Sequence, residues 1–182
     1  WGGGVVGVVV GLAGRGGRFL GPVQVEGIDS SGLELGSQSA TGVGVAVVDA
    51  TGENAIVVGP GANDRFAVEQ VMAHAPLISD ARVLLLQREI PEATALRAAQ
   101  IAHDAGAYVV LNPAPAGPID AFRGLVDLVI PNEGELSALA NGESIAERAH
   151  ARASDIGGCD AMVTRGAAGG RVFDSAGGGG FP

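Results

Sequence analysis

Four short stretches of this 182-residue chain combine amide, carboxylate, guanidinium and glycine in ways that chemistry could use. They are Gln87-Arg88-Glu89, Asn112-Pro113-Ala114-Pro115, Asn132-Glu133-Gly134-Glu135 and Thr164-Arg165-Gly166. Each follows an apolar run directly. Ligands of α/β sheets gather at the carboxyl ends of the strands, so position matters here as much as residue type.

Asn132 and Glu135 admit two readings. As N-cap and third helical residue they would form a capping box, the amide oxygen taking a helix N–H and the carboxylate reaching back. As an amide and a carboxylate at a strand end they could instead organise a hydrated Mg²⁺ beside a phosphoryl group, because magnesium prefers oxygen ligands and keeps its waters. A carboxylate engaged in one task is not fully free for the other, so the readings compete. Gly134, inside the first turn, is a poor helix former under either.

The stretch VTRGAAGGRVF (163–173) brings a strand into a glycine loop and back out. It is either a plain hairpin or a place where Gly166 and Gly169 let a nucleotide approach the backbone, with Arg165 nearby. Glu89, two residues before Pro91, either favours a helix N-terminus or accepts a hydrogen bond from a substrate hydroxyl. NPAPAG (112–117) is at least a stiff strand-terminating loop, since each proline fixes φ and restricts its predecessor. There is no G-x-x-x-x-G-K-[ST] and no G-x-G-x-x-G between a strand and a helix, which argues against a standard P-loop and a nicotinamide-binding unit.

The elements that must position these residues follow from hydrophobic pattern. Strands are expected over 82–87, 107–111, 125–130 and 161–164, with helices opening at Pro91, over 133–140 and over 144–154. Strands alternating with helices predict an α/β fold, a parallel sheet with helices on both faces. Residues 41–59 predict a β-hairpin with its turn at Thr51-Gly52. The expected organisation is a loosely placed Gly/Val-rich segment at 1–40, a hairpin region at 41–62 and a single α/β core at 63–182. The tail AGGGGFP (176–182) is expected to lack regular structure.

Composition narrows the function classes. Hydrophobic content of 47% suits a globular protein, and 31 glycines signal many turns or close backbone approaches. All eleven basic residues are arginine, and the net charge is −9. That argues against a broad nucleic-acid surface; an anionic ligand would need a metal, backbone N–H groups or a few well-placed arginines. The lone Cys159 excludes an intramolecular disulfide and a cysteine-rich zinc site, as in a cytoplasmic protein. His74, His103 and His150 show no ligand spacing. VVGVVVGL (5–12) is too short to span a bilayer and lacks a basic leader, so neither a membrane role nor a targeting segment is expected. The chain opens at Trp1, and a preceding segment is expected.

Taken in order, ATGVGVAVVDATGENAIVVGPGAND (40–64), LLLQREIPEATALRAAQIAHDAG (84–106), VVLNPAPA (109–116), DLVIPNEGE (127–135) and VTRGAAGG (163–170) resemble the ribokinase-like (PfkB) family of carbohydrate kinases. The resemblance implies an ATP-dependent sugar kinase, with NPAPA leaning toward D-ribose. It implies that Asn132, Thr164, Gly166 and Gly169 contact ATP, that Asn132 and Glu135 act on Mg²⁺ through water, and that Glu89 touches the sugar. The 41–59 hairpin resembles the family's lid over the sugar, which in relatives can also form a homodimer contact.

Departures from the pattern are equally specific. GGGVVG (2–7) resembles a remnant of the family's Gly-Gly-Lys-Gly-x-Asn stretch, without its Lys or Asn. The N-x-D sugar contact and a stretch of helix after Gly21-Pro22 are missing. The Gly-Ala-Gly-Asp motif that carries the catalytic base is absent, and Gly157-Gly158-Cys159-Asp160 precedes a strand where that motif would open a helix. No catalytic residue is therefore identified, and the chain as written is expected to show little or no kinase activity. The rival reading is a non-catalytic nucleotide-binding or scaffold remnant.

Overall fold

β-branched residues over 43–48 and 54–59 suit extended backbone, and the computed structural model pairs these segments as antiparallel strands. It describes residues 9–11, 25, 32, 34–36, 39–48, 54–174 and 179–181. Contacts divide the chain into two units, Trp1–Gln70 with Glu89–Pro91, and Val71–Arg88 with Glu92–Pro182.

In the first unit, β1 (Val9–Gly11) pairs in parallel with β2 (Glu34–Gly36). β3 (Val43–Val48) pairs antiparallel with β4 (Asn54–Gly59), setting Val45 opposite Val57. The turn expected at Thr51-Gly52 lies outside the described residues. The two-residue period puts Val43, Val45, Val47 and Val57 on one face of this hairpin, all of them exposed. A 3₁₀ turn, Gly61–Arg65, follows β4. Gly61 has φ +58°, and a Cβ there would lie 2.5 Å from the Ala40 carbonyl oxygen. That same oxygen accepts the Ala62 N–H at 2.9 Å, so only glycine fits this return of the chain.

α1 (Val68–Ala73) crosses the boundary between the units, and α2 (Ala75–Ser79) packs on α3 (Glu92–Asp104). The second unit holds β5 (Val83–Leu86), β6 (Tyr108–Leu111), β7 (Leu128–Val129), β8 (Asp160–Thr164), β9 (Gly170–Phe173) and β10 (Gly179–Phe181). They form one sheet in the order β10-β9-β8-β7-β6-β5. β5 to β8 are mutually parallel, and β9 and β10 extend the sheet antiparallel. α4 (Glu133–Leu139) and α5 (Ile145–Asp155) connect β7 to β8. The result is an α/β sheet flanked by helices.

Register explains where the core sits. Leu86, Leu111, Val129, Ala161 and Phe173 are successive cross-strand partners, and every one is buried. α3 packs on β5 and β6 through a small-residue face, with Ala95, Ala98, Ala99 and Ala102 buried at helical spacing. α5 packs on β8 and β9, where the His150 ring stands edge-on to Phe173 at 5.6 Å. On the opposite face at the β5 edge, Val83 and Leu85 remain 51% and 74% exposed.

Helix ends follow local rules. α3 stops at Gly106, with φ +78°, while the Ala107 N–H donates to the Ala102 carbonyl at 2.9 Å, a glycine-centred C-terminal motif. α5 opens on a capping box between Ser144 and Glu147. The glycine-rich tail departs from expectation, because Gly179–Phe181 pairs with β9 as β10. Ladder hydrogen bonds need only backbone, so an available edge can order a segment whose side chains offer no strand preference.

Candidate functional site

Pairing between β7 and β8 continues past the end of β7. The Thr164 N–H donates to the Pro131 carbonyl at 3.0 Å, and Asn132 and Thr164 form an isolated parallel bridge. These two sequence-predicted residues therefore stand side by side at the carboxyl ends of adjacent strands. With Glu133, Gly134, Arg165 and Gly166 they line an open depression of about 260 Å³.

The capping box anticipated for Asn132 is present. Its Oδ1 accepts the Glu135 N–H at 2.8 Å, and Glu135 Oε2 accepts the Asn132 N–H at 2.9 Å. Glu135 thus has one carboxylate oxygen committed to the helix end. A Cβ at Gly134 would lie 3.3 Å from Asn132 Oδ1, so glycine leaves the capping oxygen uncrowded.

Across the depression, Arg165 Nε donates to Glu133 Oε1 in an ion pair of two half-exposed side chains. Sequence reasoning noticed Arg165 but gave Glu133 no role. The available signal was opposite charge on the residues that directly follow Asn132 and Thr164.

The loop from β8 to β9 is a tight hairpin around a 3₁₀ turn, Gly166–Ala168. The Arg165 N–H donates to the Gly169 carbonyl at 2.8 Å. Gly166 and Gly169 have φ +54° and +73°, conformations that L side chains rarely adopt. A Cβ at Gly166 would meet nothing within 4 Å, so the space above its backbone is open. Gly169 closes the turn and is not among the described residues that line the depression.

Glu89 is exposed on the bend after β5 and belongs to the first unit. Beside it in sequence, the Arg88 N–H donates to the Ala114 carbonyl at 2.9 Å, and its guanidinium donates to the Pro115 carbonyl. A Cβ at Gly117 would collide with that guanidinium, so Arg88 and Gly117 together hold the NPAPAG loop against the end of β5. Asn112 Oδ1, at the start of that loop, is buried without a partner.

The side-chain oxygen donors lining the depression are those of Asn132, Glu133 and Thr164, and Glu135 follows next in α4, bonded to Asn132 through the cap. Among the described residues, no three His, Cys, Asp or Glu side chains gather as a metal site. Cys159 leads into β8, where burial and then the Asp160 charge push its thiol up to about 11, so it stays protonated near neutrality.

A polar depression beyond the carboxyl ends of parallel strands is where proteins with open α/β sheets bind their ligands, and this fold and site place the protein in that class. Within it, the chain belongs to the pfkB family of carbohydrate kinases, whose family model matches residues 6–182. The chain is similar to the ribokinase of Haemophilus influenzae, 37% identical over 149 residues that make up 79% of this chain and 49% of that protein. It spans about half the length of that relative. Its structure resembles that of Thermotoga maritima ribokinase, with a TM-score of 0.83 at 26% identity, over 98% of this chain and 59% of the other. The Arabidopsis thaliana ribokinase complexed with ribose and ATP shares the fold, with a TM-score of 0.83 at 23% identity over 97% and 60%. Among the described residues, no helix is long and apolar enough to cross a membrane.

Proposed function

We propose that the protein is an ATP-dependent sugar kinase that acts on D-ribose to give ribose 5-phosphate. The observation that carries this reading is the side-by-side placement of Asn132 and Thr164 around a strand-end depression in a pfkB-family chain. The sugar's primary hydroxyl oxygen attacks the γ-phosphorus, the bond to the β-phosphate oxygen breaks, ADP leaves, and a base takes the hydroxyl proton. By the family resemblance that base is the Asp of a Gly-Ala-Gly-Asp motif, which these 182 residues do not contain. The chain as given is therefore proposed to bind nucleotide with little turnover.

The residues present fit a nucleotide's phosphates. Open space lies over the Gly166 backbone, with the Asn132 amide and the Thr164 hydroxyl beside it. Gly169 would act by shaping the turn. The donor set also suits magnesium, being oxygen only. Glu135 would reach it through water with the oxygen that the cap leaves free, alongside Asn132. A bound Mg²⁺ would offset charge on the phosphates. Glu89 is proposed to accept a hydrogen bond from the sugar. The β3–β4 hairpin is proposed as a lid that excludes water and as the contact surface of a homodimer.

The rival reading is a non-catalytic nucleotide-binding or scaffold remnant; its scaffold form, which has lost nucleotide binding along with the chemistry, draws on the absent base and on the engagement of Glu135 in the helix cap. Two measurements on the 182-residue chain separate them: ATP binding by calorimetry, and ribose-dependent ADP release. Binding without turnover is expected. No binding would sink the nucleotide reading, and robust ADP release would sink the proposed dependence on the missing motif.

A further inference from the structure

Arg165 is the sole cationic side chain among the described residues lining the depression, in a chain without lysine. Its charge is not idle. Arg165 Nε is held by Glu133 Oε1, so the guanidinium and a carboxylate lining the same depression neutralise each other. An anionic ligand entering there meets Glu133 as a repulsive neighbour unless Arg165 changes partner. The two side chains are 37% and 46% exposed, so the pair is solvated and costs little to open. A phosphate accepting from the same guanidinium would make a charge-assisted hydrogen bond, and guanidinium geometry suits phosphate as well as carboxylate.

We propose that Arg165 is a phosphate-binding residue kept in reserve by Glu133, and that nucleotide binding exchanges the carboxylate for a ligand phosphate on the guanidinium. This rests on the reading of the depression as a nucleotide site. It adds a determinant that responds to the phosphates and not to the nucleoside. The exchange moves no proton and breaks no covalent bond. Glu133 is left facing solvent, where a carboxylate is well hydrated.

The test uses the 182-residue chain and calorimetric titration with ATP and, separately, adenosine. Four forms are compared: wild type, E133Q, R165K and the double variant E133Q/R165Q. Removing Glu133 takes away the competing carboxylate, so E133Q is expected to bind ATP several-fold more tightly. Against that background, loss of Arg165 is expected to weaken ATP binding about tenfold, as for one charge-assisted hydrogen bond. Adenosine binding should be the same in E133Q and E133Q/R165Q, and R165K should retain most of the ATP affinity. If E133Q and E133Q/R165Q bind ATP equally, Arg165 serves only to neutralise Glu133 and the proposal is overturned. Equal losses for ATP and adenosine would mark a structural role and also overturn it. If the wild type binds neither ligand while its circular dichroism is that of a folded chain, the nucleotide-site reading itself fails, and this inference with it.

Discussion

Asn132 Oδ1 accepts the Glu135 N–H at 2.8 Å while Glu135 Oε2 accepts the Asn132 N–H at 2.9 Å, so the two residues proposed to serve Mg²⁺ and ATP also close the first turn of α4. Conservative substitutions separate the two duties. N132A removes the cap and should cost about 1 kcal/mol of stability. E135Q keeps an oxygen that can accept the Asn132 N–H, so its stability should fall by less than about 0.5 kcal/mol. It loses the charge, however, and its ATP affinity should depend less on magnesium than the wild type's. Urea midpoints and ATP titrations with and without Mg²⁺ check this; an E135Q variant with unchanged magnesium dependence would leave Glu135 a cap alone.

The two turn glycines should differ when replaced. At Gly169, with φ +73° and ψ −131°, alanine meets a backbone region open essentially to glycine, and G169A should lose about 1–3 kcal/mol. At Gly166, with φ +54° and nothing within 4 Å of a Cβ, the cost should be about 1 kcal/mol. G166A nonetheless places a methyl group in the depression, so ATP affinity should fall out of proportion to stability. Thermal melts with and without ATP compare the two; a larger ATP defect in G169A than in G166A would contradict the assignment.

Arg152 reaches from α5 to Asp120, Nη1 to Oδ1 at 3.1 Å, while its buried Nε and Nη2 have no hydrogen-bond partner. The hydrogen bond from Arg152, and then its charge, hold the Asp120 carboxyl below the ordinary value of 3.8. A carboxyl whose folded pKa is depressed contributes stability above its unfolded pKa and loses it as pH falls through the folded one. The urea midpoint of the wild type should therefore exceed that of D120N at pH 6, and the gap should close below about pH 4. R152M removes the buried charge together with its unpaired nitrogens and should be less damaging than D120A, which strands that charge. A wild-type advantage over D120N that stays constant from pH 6 to 2 would exclude the pair as its source.

Much of this arrangement was legible in the sequence because it is local. Apolar runs gave β5, β6 and β8, the spacing of Asn132 and Glu135 marked a real helix start, and the helix expected over 144–154 is present as α5. The run 125–130 was longer than its strand because continuous ladder pairing covers only Leu128–Val129 and resumes beyond it as the isolated bridge between Asn132 and Thr164. Relations that depend on strand order were hidden. Glu133 meets Arg165 only because β7 and β8 are neighbours, and no spacing along the chain states that. β10 was missed for a related reason, since its order comes from the edge it joins and not from its own glycines.

The hairpin gives the last prediction. Val43, Val45, Val47 and Val57 share one face and are 60%, 53%, 59% and 66% exposed. A two-stranded sheet is marginal by itself, and four exposed valines in register make a flat apolar surface that a second copy could match by symmetry. Covering the exposed part of each valine would contribute about 1 kcal/mol. Sedimentation of the wild type should show a weak monomer–dimer equilibrium in the millimolar range, because about 8 kcal/mol from the valines of two copies is set against an association cost of at least about 4 kcal/mol. V45E places a charge at the centre of that face, opposite Val57, and should leave the chain monomeric at every concentration without loss of thermal stability, because the side chain already meets solvent in the single chain. A V45E variant that dimerises as well as the wild type would move the contact away from this face.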